Sequence, residues 1–95
     1  MIQIAFSVFD SAASAYLPPF FVHSEKMAIR SFSDVVSNPE HQFAKHPEDY
    51  ILHRLGIFDD NTGQFQPETP VKVLSALEVQ PKAEVLPIMA KEQAE

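Results

Sequence analysis

The stretch that decides the fold is HPEDYILHRLGIFDDNTG, which occupies residues 46–63. Residues 50–58 are rich in isoleucine, leucine, tyrosine and phenylalanine, a composition typical of a β-strand. The segment Asp60-Asn61-Thr62-Gly63 then has the residues of a tight turn, with a terminal glycine able to adopt a positive φ. A return strand is expected from Phe65, at an edge of the sheet or interrupted, because two prolines follow. The stretch therefore predicts a β-hairpin over residues 50–68.

A first strand is expected near the start of the chain, where residues 2–8 alternate between apolar and polar or small side chains. This period of two is typical of a strand with one buried face. Phe9 interrupts the polar side of the pattern. Further along, Pro18 and Pro19 have no backbone N–H to donate, and the second proline holds the first away from helical angles. The pair therefore predicts a stiff extended connector.

The main helix is predicted to begin at Ser24, which is a favourable N-cap residue. It is predicted to end at Asn38 and Pro39, because proline cannot continue a helix. Its buried face is indicated by apolar residues at helical spacing, namely Ala28, Ile29, Phe32, Val35 and Val36. Residues 40–49 are mostly polar and predict a loop, with one helical turn starting at Pro47.

These elements predict one α+β domain over residues 1–78, in which a small antiparallel sheet has one main helix packed on one face. Residues 71–77 are expected to add a short strand or a helical turn. Residues 79–95 are predicted to form a flexible C-terminal tail, or alternatively a short segment that docks on a partner. The predicted core consists of Ile4, Phe6, Val8, Ile29, Phe32, Leu52 and Phe58.

The composition argues against several classes of protein. The chain has 95 residues, of which 45% are hydrophobic, and this is enough for one small core. Because it has no cysteine, it has neither a disulfide framework nor a thiolate metal site. The N-terminus lacks the pattern of a signal peptide, and no apolar run approaches the roughly 20 residues of a membrane span. A net charge of −6 argues against a general phosphate-binding surface.

No catalytic or metal-binding motif is recognisable. The spacing of the four histidines matches no zinc-binding pattern; they are His23, His41, His46 and His53. A calcium loop starting at Asp59 would need glycine and a bidentate glutamate where Gln64 and Pro70 stand. Glu48 and Asp49 are simply explained as acidic residues in a first helical turn, although a general acid/base pair is the alternative. We therefore predict a protein that is not an enzyme and that holds no metal or cofactor.

A nucleic-acid interface is the chemistry that the residue types permit best. The candidate phosphate contacts are Lys26, Arg30, Lys45 and Arg54. The candidate stacking residues are Phe43 and Tyr50, with Phe20 and Phe21 as further aromatic residues. The alternative is that these aromatic side chains form the core, as they usually do in a small domain.

Four segments resemble the small nonstructural protein of microviruses, in particular of the gokushovirus branch. They are residues 10–20 (DSAASAYLPPF), 28–32 (AIRSF), 39–43 (PEHQF) and the opening stretch 46–63. The resemblance covers roughly residues 4–77 and leaves the predicted tail outside.

The resemblance implies a bacteriophage protein that is made in the host cytoplasm and is absent from the mature capsid. It also implies a role in single-stranded DNA genome synthesis or packaging, with suspected DNA binding and no catalytic residues to carry over. We therefore predict a non-enzymatic accessory protein. It would contact single-stranded DNA, or phage replication or capsid proteins, or both DNA and protein. The alternative is an oligomerising structural or scaffolding module, since a small domain gains buried surface by self-association.

Overall fold

The computed structural model describes residues 1–81 of the chain. Five strands and three helices follow one another, with a 3-10 turn at Pro47–Asp49 between the second helix and the fourth strand. In chain order the elements are β1 (Ile2–Asp10), β2 (Ala15–Tyr16), β3 (Phe20–Val22), α1 (Glu25–Val36), α2 (Gln42–Lys45), β4 (Tyr50–Asp59), β5 (Gln64–Ser75) and α3 (Ala76–Val79).

The strands form a single antiparallel sheet with β1 in its interior. Along its whole length β1 pairs with β4, and β4 pairs with β5. Both β2 and β3 pair with the opposite edge of β1. The predicted α+β class is confirmed, and so is the hairpin, although its second strand continues to Ser75 and leads directly into α3.

The predicted extended connector lies between β2 and β3, where Pro18 and Pro19 interrupt the pairing with β1. On its N-terminal side Leu17 still donates its N–H to the carbonyl of Val8 at 2.9 Å. The Ser7 hydroxyl donates to the carbonyl of Leu17, which gives this carbonyl a partner beside the interruption. Residues 15–22 therefore run antiparallel to β1 as one segment, which pairs with β1 in two short strands, β2 and β3.

Helix α1 begins and ends as the sequence predicts. The Ser24 hydroxyl accepts the N–H of Met27, which satisfies one of the free donors of the first turn. At the other end, the N–H of Ser37 bonds to the carbonyl of Ser33. The helix covers one face of the sheet, and its buried residues are Ala28, Phe32 and Val36.

The core lies between α1 and the sheet. Of the seven predicted core residues, four are buried, namely Phe6, Val8, Phe32 and Leu52. Ile4 and Ile29 are partly buried and pack against this core. The prediction for Phe58 is corrected, because its ring packs against that of Phe21 on the other face of the sheet.

A bulge in β4 explains the placement of Phe58. In the pairing with β1, Gly56 lies opposite Ala5 but Arg54 lies opposite Phe6, so Leu55 is an extra residue. An extra residue reverses the alternation of side chains in the rest of the strand. Phe58 therefore points away from α1, although it is an even number of residues from the core residue Leu52.

Residues 40–49 contain more helix than the predicted loop. The His41 Nδ1 atom accepts the N–H of Phe43 and caps the short helix α2. The predicted helical turn at Pro47 is present as the 3-10 turn. Helix α2 forms because its first turn is capped and because Phe43 is buried in the core. The burial of Phe43 is a contact with other elements, so the local sequence does not show it.

The predicted boundary between domain and tail falls within α3. Val79, the last residue of this helix, is partly buried against the core. The domain boundary stays a prediction, and residues 82–95 of the predicted tail lie outside the described part of the chain.

Candidate binding surfaces

Three of the four predicted phosphate-binding cations are exposed on the helical side of the molecule. Lys26 and Arg30 lie one turn apart on the outer surface of α1, and Lys45 ends α2. None of the three forms an ion pair with another residue in the described part of the chain. These side chains are therefore available to an anionic partner.

Arg54 already has a carboxylate partner. Its Nε donates to Glu68 Oε1 at 2.8 Å and its Nη2 donates to Oε2 at 3.2 Å, a bidentate arrangement. These hydrogen bonds raise the pKa of Arg54 and lower the pKa of Glu68. About a third of each side chain is exposed, so solvent weakens the pair. A phosphate group would have to displace Glu68 to reach Arg54.

The two predicted stacking residues contribute to the core. Phe43 is only 8% exposed, and its ring centroid lies 4.5 Å from that of Tyr50 and 5.7 Å from that of Phe32. The pKa of Tyr50 is raised mainly by burial, with Asp10 and Asp49 adding to the effect. A base could not stack on Phe43 without opening the core, so its burial argues against this role. For the half-buried Tyr50, stacking on bases stays a prediction.

Sequence reasoning missed a surface of aromatic side chains on the sheet face opposite α1, which we call the open face. Its first cluster contains Phe21 from β3, Phe58 from β4 and Phe65 from β5. The ring of Phe21 lies 5.5 Å from that of Phe58 and 6.5 Å from that of Phe65, between centroids. Phe21 is 44% exposed and Phe65 is 46% exposed. This cluster is therefore only half covered by the rest of the described chain.

The second cluster of the open face contains Phe9, Tyr16 and His53. Their centroids are 4.9 Å apart for Phe9 and Tyr16, 5.9 Å for Phe9 and His53, and 5.4 Å for Tyr16 and His53. Burial lowers the pKa of His53, and the nearby Lys72 lowers it further. The Nδ1 atom of His53 is buried and has no hydrogen-bond partner among residues 1–81.

Both clusters lie on the same face because side chains alternate between the two faces of the sheet along β1. Gln3, Ala5, Ser7 and Phe9 point to one side of this strand. Phe58 lies opposite Gln3, and Tyr16 lies opposite Phe9. The one signal visible in the sequence is Phe9, which interrupts the polar side of the first strand.

An apolar cavity opens on the helical side of the molecule. It has a volume of about 200 Å³ and its only polar lining residue is Ser31. The other lining residues are Val8, Phe20, Phe32, Val35 and Phe43. A cavity with this lining suits an apolar side chain and offers no acid/base pair for catalysis.

A second, smaller cavity lies near the hairpin turn. Its volume is about 70 Å³ and it is lined by Ile2, Ile57, Asp59, Gln64 and Gln66. It contains one carboxylate and no second titratable side chain, so an acid/base pair is missing here too.

The structure also brings one histidine close to the two adjacent carboxylates that were considered as an acid/base pair. Candidate ligand atoms of His46, Glu48 and Asp49 lie within 4.8 Å of one another. The 3-10 turn holds them together, because the N–H of Asp49 donates to the carbonyl of His46 at 3.0 Å. His46 and Glu48 are exposed and line neither of the two cavities. The prediction that the protein holds no metal stays a prediction.

The fold and these surfaces define a small α+β protein whose main features are surfaces suited to binding. The family model described as "Phage ORF5 protein" matches residues 3–79, and the chain belongs to this family. The expected bacteriophage origin is thereby confirmed. No curated protein and no solved structure matches the chain. Among residues 1–81, no helix is long and apolar enough to cross a membrane.

Proposed function

We propose that this phage protein is a non-enzymatic accessory protein of a microvirus, acting in the host cytoplasm in single-stranded DNA genome synthesis or packaging. The observation that carries the proposal is the family match, which covers residues 3–79. The microvirus origin and the role in single-stranded DNA synthesis or packaging are inferred from the sequence resemblance to the microvirus nonstructural protein. The geometry supports a role in binding, because the described cavities are apolar or hold a single carboxylate.

The proposed DNA contact lies on the helical side. Lys26, Arg30 and Lys45 are exposed there without an ion pair among the described residues, so phosphate groups need not displace a carboxylate. The net charge of −6 makes this contact weak and strongly dependent on salt. Contact with a replication protein would avoid this electrostatic cost and is the other branch of the proposal.

The DNA branch is tested by fluorescence anisotropy of a labelled oligo-dT strand titrated with the full chain across a salt series. We expect binding at low salt, with the slope of log K against log salt reduced by about 0.7 for each phosphate contact removed. The variants are Arg30→Ala and Lys45→Ala. The matched control is Lys72→Ala, which removes an exposed cation that is paired with Glu78 at 3.6 Å.

The result decides between the two branches. Weaker binding and a shallower slope in both variants, with Lys72→Ala unchanged, would support phosphate contacts on α1 and α2. No binding at the lowest salt concentration would remove the DNA branch and leave contact with replication proteins, which pull-down with the phage replication initiator then tests.

A second candidate function is an oligomerising structural or scaffolding module. The observation that favours it is the open face, whose outer rings are exposed to nearly half of their surface. A chain that stays monomeric at high concentration and shows no affinity for the capsid protein would exclude this candidate.

A further inference from the structure

The open face is the side of the sheet that no other layer of the described chain covers. A sheet normally buries its apolar face against a second layer about 10 Å away. Helix α1 and its neighbours provide this layer on one side, where the core lies. On the other side Tyr16, Phe21 and Phe65 remain between 42% and 46% exposed.

The charges around the open face are paired within the chain. Asp60 accepts a hydrogen bond from the N-terminal ammonium at 2.6 Å and another from Gln3 at 3.1 Å, which lower its pKa. On β5, Lys72 lies opposite His53 and pairs with Glu78. Among residues 1–81, a phosphate backbone would therefore find no unpaired lysine or arginine on this face.

The location of the unpaired cations separates this face from the proposed DNA contact. Lys26, Arg30 and Lys45 belong to α1 and α2, which pack on the other side of the sheet. A nucleic acid that stacked on the open face would lie away from all three. A neutral aromatic surface instead complements another neutral aromatic surface, and such surfaces are typical of the centres of homodimer interfaces.

The exposed ring area indicates how strong such an association would be. Each large aromatic side chain offers roughly 200 Å² in all, so three rings exposed to somewhat under half present on the order of 300 Å². A stable interface takes about 800 Å² from each partner. The rings thus supply the centre of an interface but not all of it, which predicts a weak, concentration-dependent association.

We propose that the open face is a self-complementary surface through which two copies of the chain pack sheet against sheet about a twofold axis. Aligned packing of two sheets gives a two-layer core of interdigitating side chains. The inference rests on the second candidate function and names its surface and its partner. It does not depend on the DNA contact, which uses residues on the opposite side.

Sedimentation velocity of the full chain, from low micromolar to near-millimolar concentration, tests the proposal. We expect the average mass to rise from monomer towards dimer as the concentration increases. The variant Phe65→Lys places a charge in the first cluster and should move the midpoint of the transition at least tenfold higher. Tyr16→Lys, which changes an exposed residue of the second cluster, should act in the same direction.

The matched control is Met27→Lys, because Met27 is 49% exposed but lies on α1. It should associate as the unchanged chain does, and circular dichroism should show that all three variants are folded. A monomer at every concentration would overturn the proposal. So would an association that Met27→Lys abolishes and Phe65→Lys does not, since the interface would then lie on the helical side.

A nucleic-acid occupant is distinguished in the same series. If Phe65→Ala abolished oligo-dT binding while the unchanged chain stayed monomeric, the open face would be a base-stacking platform and the proposal would be overturned. Loss of oligo-dT binding only in Arg30→Ala and Lys45→Ala would leave the dimer proposal intact. Failure of the DNA contact and failure of the dimer are therefore separate results.

Discussion

Ser7 is a fully buried polar side chain, and its environment explains why a hydroxyl group is present there. It lies in β1, and its hydroxyl donates to the Leu17 carbonyl. Directly after this carbonyl, Pro18 and Pro19 break the regular pairing of the returning segment. Because this hydrogen bond is part-buried, water replaces it only incompletely, and losing the hydroxyl donor costs free energy.

Substituting Ser7→Ala should lower the free energy of unfolding by about 1–2 kcal/mol. Urea denaturation followed by circular dichroism measures this change. The control is Ser31→Ala, which removes a hydroxyl group from the exposed outer part of α1 and should cause no loss. Equal stability of the Ser7 variant and the unchanged chain would mean that the Leu17 carbonyl finds another donor.

His53 makes the stability of the fold depend on pH. Its pKa is lowered from the usual 6.5 because the side chain is partly buried and Lys72 lies nearby. The unfolded chain therefore binds a proton more readily than the folded chain does. The stabilising contribution of neutral His53 is fully present above about pH 6.5 and is lost as the pH falls through the folded pKa.

The measurement is the urea midpoint at pH 7.5 and at lower pH, compared between the unchanged chain and His53→Gln. We expect the variant to lose less stability on acidification, because it has no proton to take up at this position. An identical response in the two chains would show that His53 is not responsible.

At the scale of the secondary-structure elements, the contact between β4 and β5 depends on Gly56. A Cβ atom at this position would lie 2.4 Å from the carbonyl oxygen of Gln66 and 3.1 Å from the Cα of Pro67. Both are backbone atoms, so the strands would have to move apart. Overpacking of this kind costs about 1–3 kcal/mol.

We therefore expect Gly56→Ala to lower the free energy of unfolding by that amount, as measured by urea denaturation. Gly63 supplies the control, because it has a φ of +76° in the hairpin turn and nothing lies within 4 Å of its added Cβ. Asparagine tolerates this backbone region, so Gly63→Asn should be close to neutral. A neutral Gly56→Ala variant would indicate that β5 can shift without loss.

The elements that could be predicted from sequence are those with local signals. Helix α1 has an N-cap at Ser24 and a stop after Ser37, and the hairpin has its turn residues. Helix α2 could not be predicted, because it depends on the burial of Phe43 against other elements. The bulge at Leu55 has no local signal either, and it reverses which face Phe58 occupies.

The same distinction applies to the candidate surfaces. The exposure of Lys26 and Arg30 follows from helical periodicity, which the sequence displays. The first cluster of the open face combines side chains from β3, β4 and β5, which are far apart in the chain. Pairing between distant segments decides such a surface, so composition and local pattern could not identify it.

At the scale of the whole molecule, the core that the structure describes extends to the end of α3. Its last contributor is Val79, at the end of α3. The capping box at Ser75, in which the Glu78 side chain accepts the Ser75 N–H at 2.6 Å, holds this helix in place. The predicted separation of domain and tail therefore has a direct test.

A chain shortened after Pro81 should keep its free energy of unfolding to within about 0.5 kcal/mol. Thermal denaturation of the full and shortened chains measures the difference. A chain shortened after Ser75 is the comparison, because it removes α3 with the buried Ala76 and should lose about 2 kcal/mol or more. A large loss from the first truncation would show that residues beyond Pro81 contribute to the domain.

The long outer strand has a consequence for the behaviour of the protein in concentrated solution. Within the described residues, β5 forms one edge of the sheet over 12 residues. An edge of this length is a template on which further chains can add and grow into fibrils. Pro67 and Pro70 lie in this strand, and proline, which has no N–H to donate, is a residue that discourages pairing at a sheet edge. We therefore expect the two prolines to keep the chain from adding edge to edge when its concentration is high.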